Sequence, residues 1–179
     1  MVGQGDVMSN YRRARVSGAS YFFSVNIAHR GGRMLVERID DLRAAFSATM
    51  SERPFICDAI VVLPDHLHAV WTLPQGDADY STRWRMIKGR FSHAVEGNVP
   101  CRASLAGKRE RGIWQRRFWE HCIRDAADYR NHVEYCWGNP VKHGFVDRAV
   151  DWPFSSIHRE ISRGMVTSQW HGLGRKCSA

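Results

Sequence analysis

Two apolar segments rich in β-branched and aromatic residues, 55–63 (FICDAIVVL) and 66–73 (HLHAVWTL), are separated only by Pro64 and Asp65. Runs of this length and composition are typical of β-strands, and Pro-Asp is typical of a turn. The two segments are therefore predicted to form a β-hairpin. This hairpin favours folds that contain an antiparallel sheet.

Further periodic segments surround the hairpin. Residues 21–28 and 113–123 are predicted strands, the second with a bend, and apolar spacing predicts helices over 37–50 and from Ser81 to about 95. Asp125 is expected to cap a helix to about Trp137, with Asn139 and Pro140 near its end, and a short helix follows near 155–163. The order predicts an α+β fold, a ferredoxin-like split β-α-β sandwich. Its sheet is mainly antiparallel, with helices on one face and an added C-terminal helix.

One domain is expected to occupy most of the 179 residues. Residues 1–19 are predicted to be a basic N-terminal arm, 20–163 the single domain, and 164–179 a flexible C-terminal tail, while 97–112 is a predicted mobile insertion. No apolar run is long enough for a membrane span, and no signal peptide is recognisable, so a cytoplasmic location is expected. Five cysteines without a Cys-x-x-Cys pair are expected to be reduced thiols.

The charge balance points towards nucleic acid. Lysine and arginine number 26 against 18 acidic residues, which gives a net charge of +8, and the isoelectric point is about 9.7. Most of the positive charge is arginine, whose planar guanidinium matches phosphate. A solvated basic surface without a partner remains the alternative at this point.

His66 and His68 form a His-x-His pair at the start of a predicted strand. Side chains on a strand alternate, so both imidazoles project from the same face while Leu67 faces the other way. Two imidazoles so placed can share a divalent cation. The alternative is a pair of surface histidines.

Tyr135 and Asn139 are four residues apart on a predicted helix and therefore lie on one helical face. A phenol hydroxyl and an amide oxygen would then be neighbours. The alternative is a core tyrosine followed by a C-terminal cap before Pro140.

Four separated motifs occur in the order of a known family: LPDHLHAVWTLP, WRMIKGRFSHA, WQRRFWEHCIRDAADYRNHVEYCWGNPVKHGFV and DWPFSSIHRE. Over residues 11–163 the chain resembles the REP-associated tyrosine transposases. These are relatives of the single-tyrosine HUH transposases, in which HUH denotes histidine, a hydrophobic residue and histidine.

The resemblance implies roles for the residues already singled out. His66 and His68 would be the HUH metal ligands, Asn139 a third ligand, and Tyr135 the nucleophile. The expected cofactor is Mg²⁺ or Mn²⁺. The expected reaction is endonuclease and strand-transferase chemistry on single-stranded DNA at hairpins of repetitive extragenic palindromes, through a 5′-phosphotyrosine intermediate. A monomer is favoured over a dimer with exchanged helices.

DNA would be held chiefly through its phosphates, so binding should depend strongly on salt. Unpaired bases could stack on an aromatic ring, although core packing is favoured for Trp71, Trp114 and Trp119. His121 is a further candidate as a proton acceptor, with a structural histidine favoured. The candidate phosphate contacts are Arg12, Arg13, Arg15, Arg83, Lys88, Arg90, Arg116 and Arg117.

Two other functions remain open from the residues alone. The first is a non-catalytic, hairpin-specific DNA-binding regulator of the same fold. The second is a metal hydrolase that activates water with His66, His68 and Asp65. Asp65 lies in the turn before the strand, and it is expected to point away from the histidine face.

Overall fold

A computed structural model describes residues 15–95 and 112–170. The predicted arm up to Ala14, with Arg12 and Arg13, lies outside the described residues. Almost all of the predicted insertion and the end of the predicted tail lie outside them as well. None of the helices in the described ranges has the length and apolar character needed to cross a bilayer.

Four strands form one antiparallel sheet in the order β2-β3-β1-β4. This order and the crossovers between the strands are those of a ferredoxin-like sheet, so the predicted fold class is confirmed. The strands are β1 (Ser20–Asn26), β2 (Ile56–Val62), β3 (His66–Thr72) and β4 (Trp119–Cys122).

The five α-helices within residues 15–95 and 112–170 are divided between the two faces of the sheet. Helices α2 and α3 cover one face, where alternate residues of β1 and β3 such as Phe23 and Trp71 enter a large aromatic core. Helix α4 packs on the other face, against β2 and β3. The helices are α1 (Met34–Glu37), α2 (Ile39–Glu52), α3 (Tyr80–Ala94), α4 (Ala126–Lys142) and α5 (Ile157–Ser162), and Ala149–Asp151 form a 3₁₀ turn.

Helix α4 is the element that extends furthest beyond its predicted end. Its start agrees with the prediction, because the Asp125 carboxylate accepts hydrogen bonds from the amides of Ala127 and Asp128. The helix then continues past Trp137 and through Pro140 to Lys142. A proline inside a helix removes one backbone hydrogen bond, but here Trp137, Asn139 and Pro140 are all buried. The free energy gained by packing this turn against the fold outweighs the lost bond.

Smaller differences also have local causes. The Asp79 carboxylate, rather than Ser81, caps α3 by accepting a hydrogen bond from the Thr82 amide. The predicted helix over 37–50 is interrupted at Arg38, so α1 and α2 are separate. The predicted strand over 113–123 is regular only in β4, and Trp114 makes an isolated bridge to Ile27.

Arg83 is not a surface residue, and its prediction as a DNA contact is wrong. The side chain lies on α3 at 1% exposure. Its guanidinium donates to the carbonyls of Arg53, Pro54 and Asp79 and to the Asp77 carboxylate, at 2.7 to 3.1 Å. A helical spacing pattern could not show this, because the acceptors come from loops before the helix and after α2. Arg83 therefore ties these loops to α3.

Replacing Arg83 with methionine should lower the free energy of unfolding by about 3 kcal/mol, since three carbonyls and a carboxylate lose a buried donor. Urea unfolding followed by circular dichroism measures this change. The matched control is Arg85→Met on the same helix, because Arg85 is exposed. It should change the unfolding free energy by less than about 0.5 kcal/mol. Equal effects of the two substitutions would contradict this account of Arg83.

Candidate active site on the α4 face of the sheet

His66 and His68 both point from β3 towards the side of the sheet that α4 covers. Strand β3 is hydrogen-bonded to β1 and β2, so its register and the direction of each side chain are fixed. The two ring centroids lie 5.1 Å apart at 81°. Each residue is only 5% exposed. The sequence pattern predicted this shared face, and the structure adds that the pair is buried.

Asp65 holds the His66 ring. The Asp65 carboxylate lies 2.6 Å from Nδ1 of His66 and also accepts hydrogen bonds from Nε of Arg30 and the amide of Gly31. Partial burial alone would raise the pKa of Asp65, but these hydrogen bonds outweigh burial and lower the pKa to about 2. With Nδ1 engaged by a carboxylate, Nε2 of His66 is the nitrogen that can accept a proton or a metal ion.

The expectation that Asp65 points away from the histidines is therefore wrong. A residue in a turn is not bound by strand alternation, and the Asp65 side chain folds back onto its neighbour. Its oxygens are already engaged by His66, Arg30 and Gly31. This pairing weakens the hydrolase alternative, in which Asp65 would have to activate water.

His68 is held in its neutral form by its surroundings. Burial is the main cause that lowers its pKa, to about 3, and the nearby His66, His143 and Lys142 lower it further. Its Nδ1 is buried without a well-formed hydrogen bond among the described residues, and a backbone contact with Phe23 raises the pKa but is outweighed. A neutral imidazole with an unused ring nitrogen is suited to binding a cation.

Tyr135 lies beside this pair. Its ring centroid is 5.2 Å from that of His68, and its ring meets the edge of Phe22 at 5.6 Å. The tyrosine is 39% exposed, so its hydroxyl is accessible from outside. Tyr135 is therefore neither a core residue nor distant from the histidines.

Asn139 and His143 follow Tyr135 at successive four-residue steps on the same face of α4 and at its C-cap. The His143 ring lies 5.1 Å from His66, and Tyr135 contacts His68, so Asn139 lies between two residues that face the pair. Asn139 is 1% exposed, and its Oδ1 is buried without a hydrogen-bond partner among the described residues. A buried amide oxygen without a hydrogen-bond partner is available as a ligand.

Lys142 is a contact that the sequence interpretation missed. Its Nζ lies 3.4 Å from the Tyr135 hydroxyl and 4.9 Å from the centre of the tyrosine ring. Lys142 and His143 both follow Pro140, where the helix was expected to have ended. Continuing the helical periodicity through Pro140 would have placed both beside Tyr135.

A second histidine cluster lies on the same side of the sheet. The Asp128 carboxylate is 2.8 Å from Nε2 of His121 and 3.1 Å from Nδ1 of His132. The geometry would allow a metal ion, because all three ligand atoms lie within 4.8 Å of one another. However, Asp128 also accepts from the amide and Nε of Arg124, and His132 Nδ1 is 2.8 Å from the Asp128 carbonyl. The cluster therefore already satisfies its own hydrogen bonds.

The candidate phosphate contacts are scattered. Lys88 and Arg90 lie on α3, across the sheet from the histidines; Lys88 donates to the Gln115 carbonyl, and Arg90 pairs with Glu52. Arg15, Arg116 and Arg117 are exposed, and the last two are separated from β4 by Phe118. The tryptophans also differ: Trp71 is fully buried, Trp114 partly buried, and Trp119 is 53% exposed.

Comparison with known proteins fixes the family. No protein-family model matches the chain. A REP-associated tyrosine transposase of Escherichia coli K12 is 46% identical over 165 residues, which is 92% of each chain. The chain belongs to the REP-associated tyrosine transposases. It is accordingly a single-tyrosine transposase.

Two further relatives agree with this assignment. A Haemophilus influenzae protein named for the same family is 41% identical over 168 residues, covering 92% of this chain and 94% of its own. A solved structure of a REP-associated tyrosine transposase bound to a REP hairpin is 45% identical, with a TM-score of 0.82 and 92% of each chain covered. The family's fold therefore extends over nearly the whole chain.

The hydrogen bonds at Asp128 lead to a pH-dependent stability in this transposase. The bond to His121 is the main cause that lowers the pKa of Asp128, burial opposes it, and the Arg124 bonds add to the lowering. A carboxyl group with a lowered pKa stabilises the fold above its unfolded pKa of about 3.9, and this stability is lost as the pH falls below that value.

Asp128→Asn should therefore lower stability at pH 6 and flatten its dependence between about pH 4.5 and 2.5 relative to the wild type. Urea midpoints across this range measure the difference. Asp147→Asn is the matched control, because Asp147 is exposed. If the Asp128 variant lost stability in parallel with the wild type on acidification, Asp128 would not be the group responsible.

Proposed function

We propose that the chain cleaves and rejoins single-stranded DNA at the foot of hairpins in repetitive extragenic palindromes. The nucleophile is the hydroxyl of Tyr135. The observation that carries this proposal is the contact between the exposed Tyr135 ring and the buried His68, 5.2 Å between centroids, with His66 beside it. An accessible phenol next to two neutral imidazoles can attack a phosphodiester that lies between the phenol and the imidazoles.

In the proposed step, the Tyr135 oxygen forms a bond to phosphorus and the bond from phosphorus to the 3′ oxygen breaks. The products are a 5′-phosphotyrosine and a DNA strand with a free 3′-hydroxyl. The phenol loses one proton, and the leaving 3′ oxygen gains one. Since one phosphate ester replaces another, a 3′-hydroxyl can reverse the step without a nucleotide cofactor.

His66, His68 and Asn139 would hold a Mg²⁺ or Mn²⁺ ion. Their fit is supported by the unpartnered His68 Nδ1 and Asn139 Oδ1, and by the Asp65 carboxylate that orients His66. When bound, such an ion polarises the scissile phosphate and stabilises the charge that develops on it. The His121–Asp128–His132 cluster is a poorer candidate, because its donors and acceptors are paired with each other.

Lys142 would assist the attack by Tyr135. Its ammonium lies 3.4 Å from the hydroxyl that attacks. A fixed positive charge at this place attracts the phosphate that approaches Tyr135 and stabilises the negative charge at the reacting oxygens. The chain thus supplies the nucleophile, a cation and the proposed metal ligands from one sheet face and one helix.

Binding would rest on phosphate contacts from exposed arginines, with Arg15, Arg116 and Arg117 the described candidates. The related structure bound to a REP hairpin supports a hairpin ligand for this chain. A net charge of +8 makes strong salt dependence the expected behaviour. A monomer is proposed because Tyr135 and the histidines come from one copy of the chain.

The central test is a covalent adduct. Purified protein is incubated with Mn²⁺ and a labelled palindrome that has a single-stranded foot, and the products are separated on a denaturing gel. The wild type should form a protein–DNA adduct, and Tyr135→Phe should form none, since the attacking oxygen is gone.

Tyr129→Phe on the same helix is the matched control, because the hydroxyl of Tyr129 pairs with Asp58 away from the histidines. It should retain the adduct. Tight hairpin binding by the wild type without any adduct would instead favour the non-catalytic regulator. An adduct of equal yield with Tyr135→Phe would overturn the assignment of the nucleophile.

The role of Asp65 predicts an effect on metal affinity. Asp65→Asn removes the carboxylate charge that orients the His66 ring but keeps the size of the side chain at position 65. The affinity of the protein for Mn²⁺ should therefore fall by about ten-fold. Electron paramagnetic resonance of unbound Mn²⁺ measures this without any reaction. Asp40→Asn on α2, at the exposed surface, should leave the affinity unchanged. An unchanged affinity in Asp65→Asn would mean that His66 is not a ligand or does not need its carboxylate partner.

A further inference from the structure

A cavity of about 390 Å³ lies next to Tyr135 on the α4 side of the sheet. Its floor follows from strand register: His68, Ser24 and Trp119 are directly paired across β3, β1 and β4. His68 and Trp119 are therefore two strand spacings, roughly 10 Å, apart. The small Ser24 between them leaves the gap open. The lining residues are Phe22, Ser24, His68, Trp119, His132 and Tyr135.

Trp119 is the unusual member of this lining. It lies on the edge strand β4, and its large indole is 53% exposed, contrary to the core packing expected from the sequence. Its inner edge contacts Phe22 at 5.7 Å between ring centroids. An aromatic ring half in water beside a cavity offers an apolar surface that a planar ligand can cover.

The rings around this cavity are held in place before any ligand arrives. Trp119 and His121 are parallel within 6° at 6.1 Å, and His121 stacks on His132 at 4.7 Å. The His121–Asp128–His132 hydrogen bonds fix the two imidazoles. Phe22 contacts both His132 and Tyr135. Side chains that are already ordered lose little entropy when a ligand binds.

We propose that this cavity binds one unpaired nucleobase next to the scissile phosphate, stacked on Trp119. Size, aromatic lining and contact with Tyr135 together favour a planar ring carried on the strand that Tyr135 attacks. Any base can stack on an aromatic side chain. The cavity therefore positions the DNA strand more than it selects a particular base. This inference rests on the proposed function, because it takes its ligand from the same DNA.

The test is a binding cycle that needs no cleavage. Hairpins with a single-stranded foot carry an abasic residue at each unpaired position in turn, and affinities for wild type and Trp119→Ala are measured by fluorescence anisotropy without divalent metal. At one position the abasic residue should weaken wild-type binding by about ten-fold but Trp119→Ala hardly at all. Trp119→Phe should keep most of the effect, since it keeps an aromatic ring.

A second probe reports stacking directly. At the same position, 2-aminopurine should be quenched on binding to wild type and remain bright with Trp119→Ala. Ser24→Leu, which fills the gap from the floor, should also abolish the quenching. Ile56→Ala is the control, because Ile56 is an exposed apolar residue on the opposite edge strand, at 63% exposure. Thermal unfolding shows that each variant is folded.

The proposal is overturned if, at every position, the abasic residue lowers the DNA affinity of wild type and of Trp119→Ala by the same factor. It is also overturned if Trp119→Ala changes the oligomeric state but not DNA binding, since the indole would then cover a second copy. Failure of the covalent adduct with wild type would reject the proposed chemistry while leaving the binding cycle interpretable. The two failures are thus distinguishable.

Discussion

Strand β3 is hydrogen-bonded along both edges, and this double pairing positions the side chains of the site. Two neighbours fix the register of β3, so Leu67, Ala69 and Trp71 must enter the aromatic core while His66 and His68 face α4. A slip of one residue would turn the imidazoles into that core and the apolar side chains towards α4. The free energy that stabilises the fold therefore also positions the histidines.

The α4 side of the sheet contains two groups of polar residues, one with its hydrogen bonds satisfied and one with buried polar atoms left unpaired. Asp128 and the histidines around it satisfy one another and fix the rings beside Tyr135. At His68 and Asn139, in contrast, buried polar atoms have no partner among the described residues. Unpaired buried atoms cost stability, and a bound ion is one explanation for their presence next to a reactive side chain. This contrast, more than the identity of the residues, separates the proposed metal site from a structural network.

The sequence was sufficient for features governed by local periodicity. The hairpin and the order of elements follow from apolar runs, turn residues and helical spacing. The shared face of His66 and His68 follows from alternation along β3. It was insufficient where tertiary contacts decide. Helix α4 passes through Pro140 because Trp137, Asn139 and Pro140 are buried, and Arg83 is buried because loop carbonyls surround it. Trp119 is exposed because β4 is an edge strand, and no pattern in residues 113–123 specifies that position.

The buried, unpaired atoms of His68 and Asn139, and not the internally hydrogen-bonded Asp128 cluster, should therefore bind the metal ion together with His66. Anomalous diffraction at the manganese edge, from crystals grown with Mn²⁺, shows where the ion binds. One strong peak is expected within bonding distance of His66 and His68, with Asn139 Oδ1 turned towards it. A peak between His121, Asp128 and His132 with none at the β3 pair would instead assign the metal to the Asp128 cluster.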